Sequence, residues 1–319
     1  MSKLKIASYW AAACGGCDVA ILDIHEKIID VANIADIVFW PVATDFKEKD
    51  VEGYPDGYID VTLFHGAIRN SENEHYARLL RRKSKILVAF GSCATMGGVP
   101  GLANFKNRDG ILARVYLESP STQNKEQVLP QTRVEVPEGE LELPYFYEEV
   151  KTLADVVDVD YFMPGCPPAP HQIWAVLQVL ASGNLPPKGA VVGASDKALC
   201  DECQRVKTEK KVKKFYRPHE IIPDPQKCLL EQGIVCMGPV TRGGCSAQCT
   251  GANMPCRGCY GPLDGVVDQG AKYISALASI VDANTSEEAE QIIGQIVDPA
   301  GTFYRFGLPG SLLRRARNV

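Results

Sequence analysis

Twelve cysteines, eight of them between residues 200 and 259, constrain this 319-residue chain more than any other feature of it. From about residue 188 to Leu263 the helical and strand periodicities fade and Gly, Pro and Cys dominate, which leaves little apolar material to fold around. Such a segment needs crosslinks, covalent or metallic, to hold a shape. Disulfides are the weaker account. The opening MSKLKIASYWAAACGG runs from a short basic start straight into strand-like sequence with no export signal, and no stretch approaches 18 apolar residues, so no membrane span is expected and the expected compartment is the cytoplasm. Thiols stay reduced there, and a chain this long has core enough to do without staples. Metal or cluster ligation is the expected role of the cysteines.

The first half alternates strand and helix signals, as a doubly wound parallel sheet requires. Strand-like runs are KIASYW (5–10), DIVFWPV (36–42), YIDVTLFHG (58–66), KILVAFGSC (85–93) and VVDVDYFMPGC (156–166). Between them the spacing of apolar residues predicts a helix from about Asp18 to Asn33. A second begins at Ser71, where Ser-x-x-Glu with Glu74 reads as a capping box, and a third runs from about Ala169 to Ala181, ending before Gly183 and Pro186-Pro187. These elements define an α/β domain over residues 1–187, interrupted by a polar insertion at 102–153 with room for a short strand or hairpin. Residues 188–319 form a second domain, closed by helices predicted at Ala271 to Val281 and Ser286 to Val297. A net charge of −5 supplies no electrostatic reason to bind nucleic acid.

Cys14 and Cys17 form a C-x2-C pair, while Cys93 and Cys166 stand alone, and all four directly follow predicted strands. The carboxyl ends of parallel strands lie along one sheet edge, so thiols far apart in sequence can converge there. The other eight are Cys200-x2-Cys203, Cys228-x7-Cys236 and Cys245-x3-Cys249-x6-Cys256-x2-Cys259, enough for two further sites of four ligands. Fourfold thiolate ligation is what a 4Fe-4S cluster requires, and Cys166-Pro167 echoes the Cys-Pro ending of ferredoxin ligand runs. Four-cysteine zinc in a non-redox scaffold protein is the competing account, although zinc ribbons usually pair two C-x2-C knuckles.

The segments CGGCD (14–18), GSCATMGGVPG (91–101) and PGCPPAP (164–170) resemble the proximal-cluster motifs of nickel-iron hydrogenase small subunits, and the block from Cys228 to Pro262 resembles that family's C-terminal cluster domain. The resemblance implies a flavodoxin-like domain holding a proximal cluster on Cys14, Cys17, Cys93 and Cys166. It implies a distal cluster on Cys200, Cys203, Cys228 and Cys236 and a medial one on Cys245, Cys249, Cys256 and Cys259, three 4Fe-4S clusters in all. The respiratory, periplasmic branch has a histidine where Cys200 stands and a proline in place of a fourth medial cysteine. The chain is thus more similar to the cytoplasmic branch, and most to the methyl-viologen-reducing type that feeds heterodisulfide reductase in methanogens. The small subunits of NADP-linked and deazaflavin-linked enzymes share the motifs. The implied partners are a large subunit carrying the nickel-iron site, an iron-sulfur adaptor subunit and heterodisulfide reductase. The implied role is electron transfer within an oxidoreductase whose hydrogen-activating site is on the partner chain, since the ending FGLPGSLLRRARNV lacks a second nickel-type C-x2-C pair.

Asp18 is expected to cap a helix, the other reading being an interaction near the first cysteine set, and His171 is expected to sit on the surface at a helix start, the other reading being a hydrogen bond to a cluster sulfur. The run RVKTEKKVKKFYR (205–217) reads as a solvated face or as a docking patch for an acidic electron-transfer partner. No G-x-G-x-x-G follows a strand, so no nicotinamide or flavin site is expected.

Overall fold

The computed structural model describes residues 3–208 and 211–314. Its centre is a parallel sheet of β1 (Leu4–Trp10), β2 (Ala35–Phe39), β3 (Ile59–His65), β4 (Ser84–Phe90) and β5 (Tyr161–Met163), in the spatial order β2-β1-β3-β4-β5. This is the flavodoxin-like order. The strands are rich in apolar residues on both faces because both faces are covered. On one side Val61, Leu63, Val88 and Phe90 pack against α1 (Gly16–Leu22), α2 (Lys27–Ile34) and, beyond β5, a long helix at Pro170–Ser182. On the other side Ala7, Tyr9, Phe64, Leu87 and Ala89 meet Ala77, Leu79 and Leu80 of α3 (Ser71–Lys83). A short α4 (Gly91–Met96) follows β4 directly, and the Pro170–Ser182 helix is α5.

Two helical expectations need correction. The helix expected from Asp18 to Asn33 is two helices, broken where His25 takes a left-handed conformation at φ 57°. The cap of α3 is Asn70, whose side chain accepts from the Asn73 backbone N–H, and Ser71 instead accepts a hydrogen bond from the Tyr145 N–H at 2.9 Å. The insertion after residue 102 contains an exposed hairpin, Arg133–Val136 with Gly139–Glu142, and a strand, Phe146–Lys151, that pairs antiparallel with Ile68–Asn70 at the foot of α3.

The cysteine-rich half also departs from expectation, because it does have a core. Leu199, Phe215, Leu229, Ile234 and Met237 are buried together with Tyr273 and Leu277 of α6 (Gln269–Ala278), Ile292 of α7 (Ser286–Ile293) and Phe303 of α8 (Pro299–Phe303). The closing helices lie close to where periodicity places them, and they supply the apolar surface that the loops lack. This half docks on the carboxyl edge of the sheet. Ser92 Oγ donates to the Cys259 carbonyl at 2.5 Å, the Ala169 N–H donates to the Tyr260 hydroxyl at 2.9 Å, and the Gly98 N–H donates to the Phe306 carbonyl at 2.9 Å. No helix among the described residues is long and apolar enough to cross a membrane.

Candidate cluster-binding sites

The first set of thiols is assembled by the sheet edge. β1 ends at Trp10 and the chain turns through Cys14 and Gly15, the left-handed residue that starts α1, so that Cys17 falls in the first turn of that helix. Cys93 lies in α4 just past β4, and Cys166 follows β5. Cys17 and Cys93 are buried, Cys14 and Cys166 exposed. Burial holds the Cys17 thiol far above the ordinary range, and the neighbouring Cys93, Cys166 and Cys14 push it the same way. Burial, with Cys166 and Cys14 beside it, pushes Cys93 up to about 12. The four thiols therefore face one another.

The later eight divide by the same criterion. Burial and then Cys236, Cys228 and Cys203 act on Cys200, whose thiol is pushed up to about 12. The third group joins Cys245 and Cys249, on either side of a left-handed Ser246-Ala247 turn, to Cys256 and Cys259. Two contacts cross between groups. Burial and then Cys166 of the first set act most strongly on Cys259, also pushed up to about 12, while the Cys256 N–H donates to Cys236 Sγ at 3.3 Å. The group that comes last in sequence thus lies between the other two.

The donor chemistry fits iron-sulfur clusters. All twelve cysteines are free thiols. Buried thiols whose neighbours oppose their ionisation become thiolates only against a strongly cationic partner. Tetrahedral zinc, with Zn–S near 2.3 Å, would bring four sulfurs within about 3.8 Å of one another. Among the described residues no three cysteine sulfurs lie within 4.8 Å of each other, and the one trio of metal-type side chains that does is the surface group Glu48, Glu52 and His75. A four-iron cube spreads its thiolates wider, because each binds a different corner. The backbone also leaves room for sulfur: a Cβ on Gly91 would lie 2.5 Å from Cys17 Sγ, and one on Gly98 2.4 Å from Cys93 Sγ.

Sequence reasoning missed the support beneath this edge. Asp18 caps nothing. It is buried in α1, where its Oδ1 accepts from Trp40 Nε1 at 2.7 Å and lies 3.0 Å from His65 Nε2 at the end of β3. The contact pins the helix carrying Cys17 to the end of β3 and to the residue that follows β2. Asp18→Ala would leave the indole and imidazole buried without their acceptor, an expected loss of about 3 kcal/mol. Thermal unfolding of the assembled complex measures it, and an unchanged midpoint would show that the contact carries no stability. His171 is exposed as expected, with Nε2 3.1 Å from the Gly244 carbonyl oxygen rather than near a sulfur.

The basic run is less uniform than its sequence. Arg205 is buried and donates to the carbonyls of Thr250, Asp224 and Lys227. Lys207 donates to the Cys200 carbonyl, Lys213 pairs with Asp282 at 3.5 Å, and Lys214 lies over the Tyr216 ring. Lys210 lies outside the described residues.

Residues 14–180 match the family described as NADH ubiquinone oxidoreductase, 20 Kd subunit. The chain is 43% identical over 319 aligned residues to the iron-sulfur subunit of the F420-non-reducing hydrogenase of Archaeoglobus profundus, covering 98% of each. It is 38% identical to the corresponding subunit of the F420-non-reducing hydrogenase of Methanothermobacter thermautotrophicus, covering 98% of this chain and 96% of the relative. Among solved structures, a chain of an NAD+-reducing nickel-iron hydrogenase in its H2-reduced state superposes with a TM-score of 0.50 at 32% identity, covering 58% of this chain and 94% of that one.

Proposed function

Because this chain belongs to the nickel-iron hydrogenase small-subunit family, among the small subunits of F420-non-reducing hydrogenases, we propose that its twelve cysteines hold three 4Fe-4S clusters and lead electrons from the large subunit to an acceptor subunit. The chain is an electron-transfer subunit of an oxidoreductase complex. Cys14, Cys17, Cys93 and Cys166 hold the proximal cluster, Cys245, Cys249, Cys256 and Cys259 the medial one, and Cys200, Cys203, Cys228 and Cys236 the distal one. When bound, such clusters accept and release single electrons at potentials set by burial, charge and hydrogen bonds to sulfur.

The observation that carries the reading is the pattern of thiol contacts. Cys259 faces Cys166, and the Cys256 N–H reaches Cys236, so one continuous path runs through the three sets in the order first, third, second. Every thiol belongs to one of the sets and none remains to bind nickel, which favours hydrogen activation on a large-subunit partner. The exposed Cys14 and Cys166 mark the proximal edge as the side which that partner covers. Cys200 and Cys228 line a cavity of about 280 Å³ with Lys207, Leu230 and Ile280, a suitable exit toward an adaptor subunit. Relatives named for not reducing F420 favour an acceptor other than a deazaflavin, and heterodisulfide reductase in the cytoplasm is the acceptor proposed here.

Metal analysis of the anaerobically purified complex tests this. About twelve iron atoms attributable to this chain are expected, four for each cluster. A colourless chain holding zinc in their place would overturn the assignment.

A further inference from the structure

The insertion leaves the body of the protein as an arm without a core: no residue from Lys106 to Glu149 is buried. Its hairpin has two unlike faces. Val134 stands opposite Leu141 in the antiparallel register, and Leu143, whose N–H extends the ladder to the Thr132 carbonyl at 2.9 Å, lies two residues further on, so the three share one face. They are 46%, 56% and 53% exposed. The opposite face carries Glu135 and the ion pairs of Arg133 with Glu140 at 3.6 Å and with Glu142 at 3.2 Å. Charge on one face and aliphatic side chains on the other is the pattern of a sheet with one side in water and the other against a core. This chain supplies no core there, and a two-stranded hairpin without one is marginally stable in water.

The arm springs from the edge where Cys14 and Cys166 are exposed. Its returning strand, Phe146–Lys151, pairs with Ile68–Asn70, and Val150 is buried with Ala67 and Cys93. Ala67 in turn exchanges backbone hydrogen bonds with Ala12, two residues before Cys14. Trp10, at the end of β1, and Val99, just beyond α4, are exposed apolar residues of the same edge. We propose that the arm is a clasp for the hydrogenase large subunit, with Val134, Leu141 and Leu143 docked on an apolar surface of that subunit in continuation of the proximal edge. The proposal rests on the reading of that edge as the large-subunit face. A second copy of this chain fits less well, because a stable interface takes about 800 Å² from each partner. A hairpin of four residues per strand, about 14 Å long and two strands wide, offers only a fraction of that. Edge and arm together can supply it.

Hydroxyl-radical footprinting of the assembled complex tests this, with the reactivity of each side chain read against the denatured chain. Leu141, Leu143 and Trp10 are expected to be protected as strongly as Leu153, which is fully buried in the core. Protection of Trp10 with Leu141 and Leu143 fully reactive overturns the clasp and leaves the edge reading standing, whereas a reactive Trp10 sinks the edge reading and this proposal with it. Where all three are protected, Leu141→Glu with Leu143→Glu identifies the occupant. The new carboxylates would be buried unpaired against the large subunit, so that subunit is expected to dissociate at least about tenfold more readily. Glu135→Gln with Glu140→Gln, on the charged face, is expected to match the parent. Release of a second copy of this chain in place of the large subunit, or full retention of the large subunit, overturns the proposal. Unchanged iron content shows that the variant is folded, and where iron is lost Leu143→Ser alone is read by the same outcomes.

Discussion

Gly91→Ala is expected to strip the first cysteine set of its iron, about a third of the total for three four-iron clusters, and to reduce hydrogen-driven dye reduction by the complex to background. Gly91 joins β4 to α4 with φ at +83°, a conformation that costs a residue bearing a Cβ about 1–2 kcal/mol. The larger effect is steric. The new methyl group would lie 2.5 Å from Cys17 Sγ, far inside the roughly 3.5 Å at which nonbonded atoms come into contact. Neither side can yield easily: Cys17 sits in the helix pinned by Asp18 to Trp40 and His65, and the Ser92 N–H holds the Gly165 carbonyl at 2.8 Å. Gly139→Ala is the control, because its φ is also positive, at +135°, yet nothing lies within 4 Å of its Cβ position. Iron analysis of both variants separates backbone strain from displacement of the sulfur. A full iron content in Gly91→Ala would show that Cys17 does not need that space.

The convergence of Cys14, Cys17, Cys93 and Cys166 is legible in the sequence because it needs only the strand assignment: parallel strands present their carboxyl ends along one edge wherever their boundaries fall. The glycines that make room for the sulfurs are not legible, since Gly91 and Gly98 look like ordinary turn residues until the approach of Cys17 and Cys93 is known. Asp18 shows the same limit. A carboxylate at a helix start reads locally as a cap, but its partners lie 22 and 47 residues away and only the sheet brings them near. The cap of α3 lies one residue before its expected place, because Asn70 and Ser71 are both capping types and only the partner N–H distinguishes them.

The second half reads as coreless in sequence for a related reason. Leu199, Phe215, Leu229 and Ile234 lie in short apolar pieces, such as Leu229-Leu230 and Ile234-Val235, separated by polar, Gly, Pro and Cys residues, so no period of 2 or 3.6 links them. The core exists because α6, α7 and α8, from the end of the chain, cover those scattered residues. Two of the buried cysteines, Cys236 and Cys256, belong to this core, so the cluster assignment proposed above would couple iron loading to folding of this half. The order of the sets also requires the structure. Sequence order places Cys245 to Cys259 last, whereas the contacts with Cys166 and Cys236 place them in the middle.

That middle position gives Cys249 the second large expected effect. It is an exposed member of its set, carried on the helical turn Gln248–Gly251, and its thiol acts on both Cys245 and Cys259. Cys249→Ala removes one of four thiolates at the corner closest to solvent, so the iron it held is expected to leave and a 3Fe-4S centre to remain. Cluster type and charge are the main determinants of potential, and the altered centre becomes more oxidising. A rise of roughly 0.2 V shifts a one-electron equilibrium by about three powers of ten, at ~59 mV per decade. Electrons then settle in the middle of the path, so reduction of a low-potential acceptor falls far more than reduction of a high-potential dye. EPR of the oxidised variant should show a new 3Fe-4S signal with the loss of about one iron. An unchanged 4Fe-4S spectrum with full iron would remove Cys249 from the ligand set and leave the exposed corner to another donor.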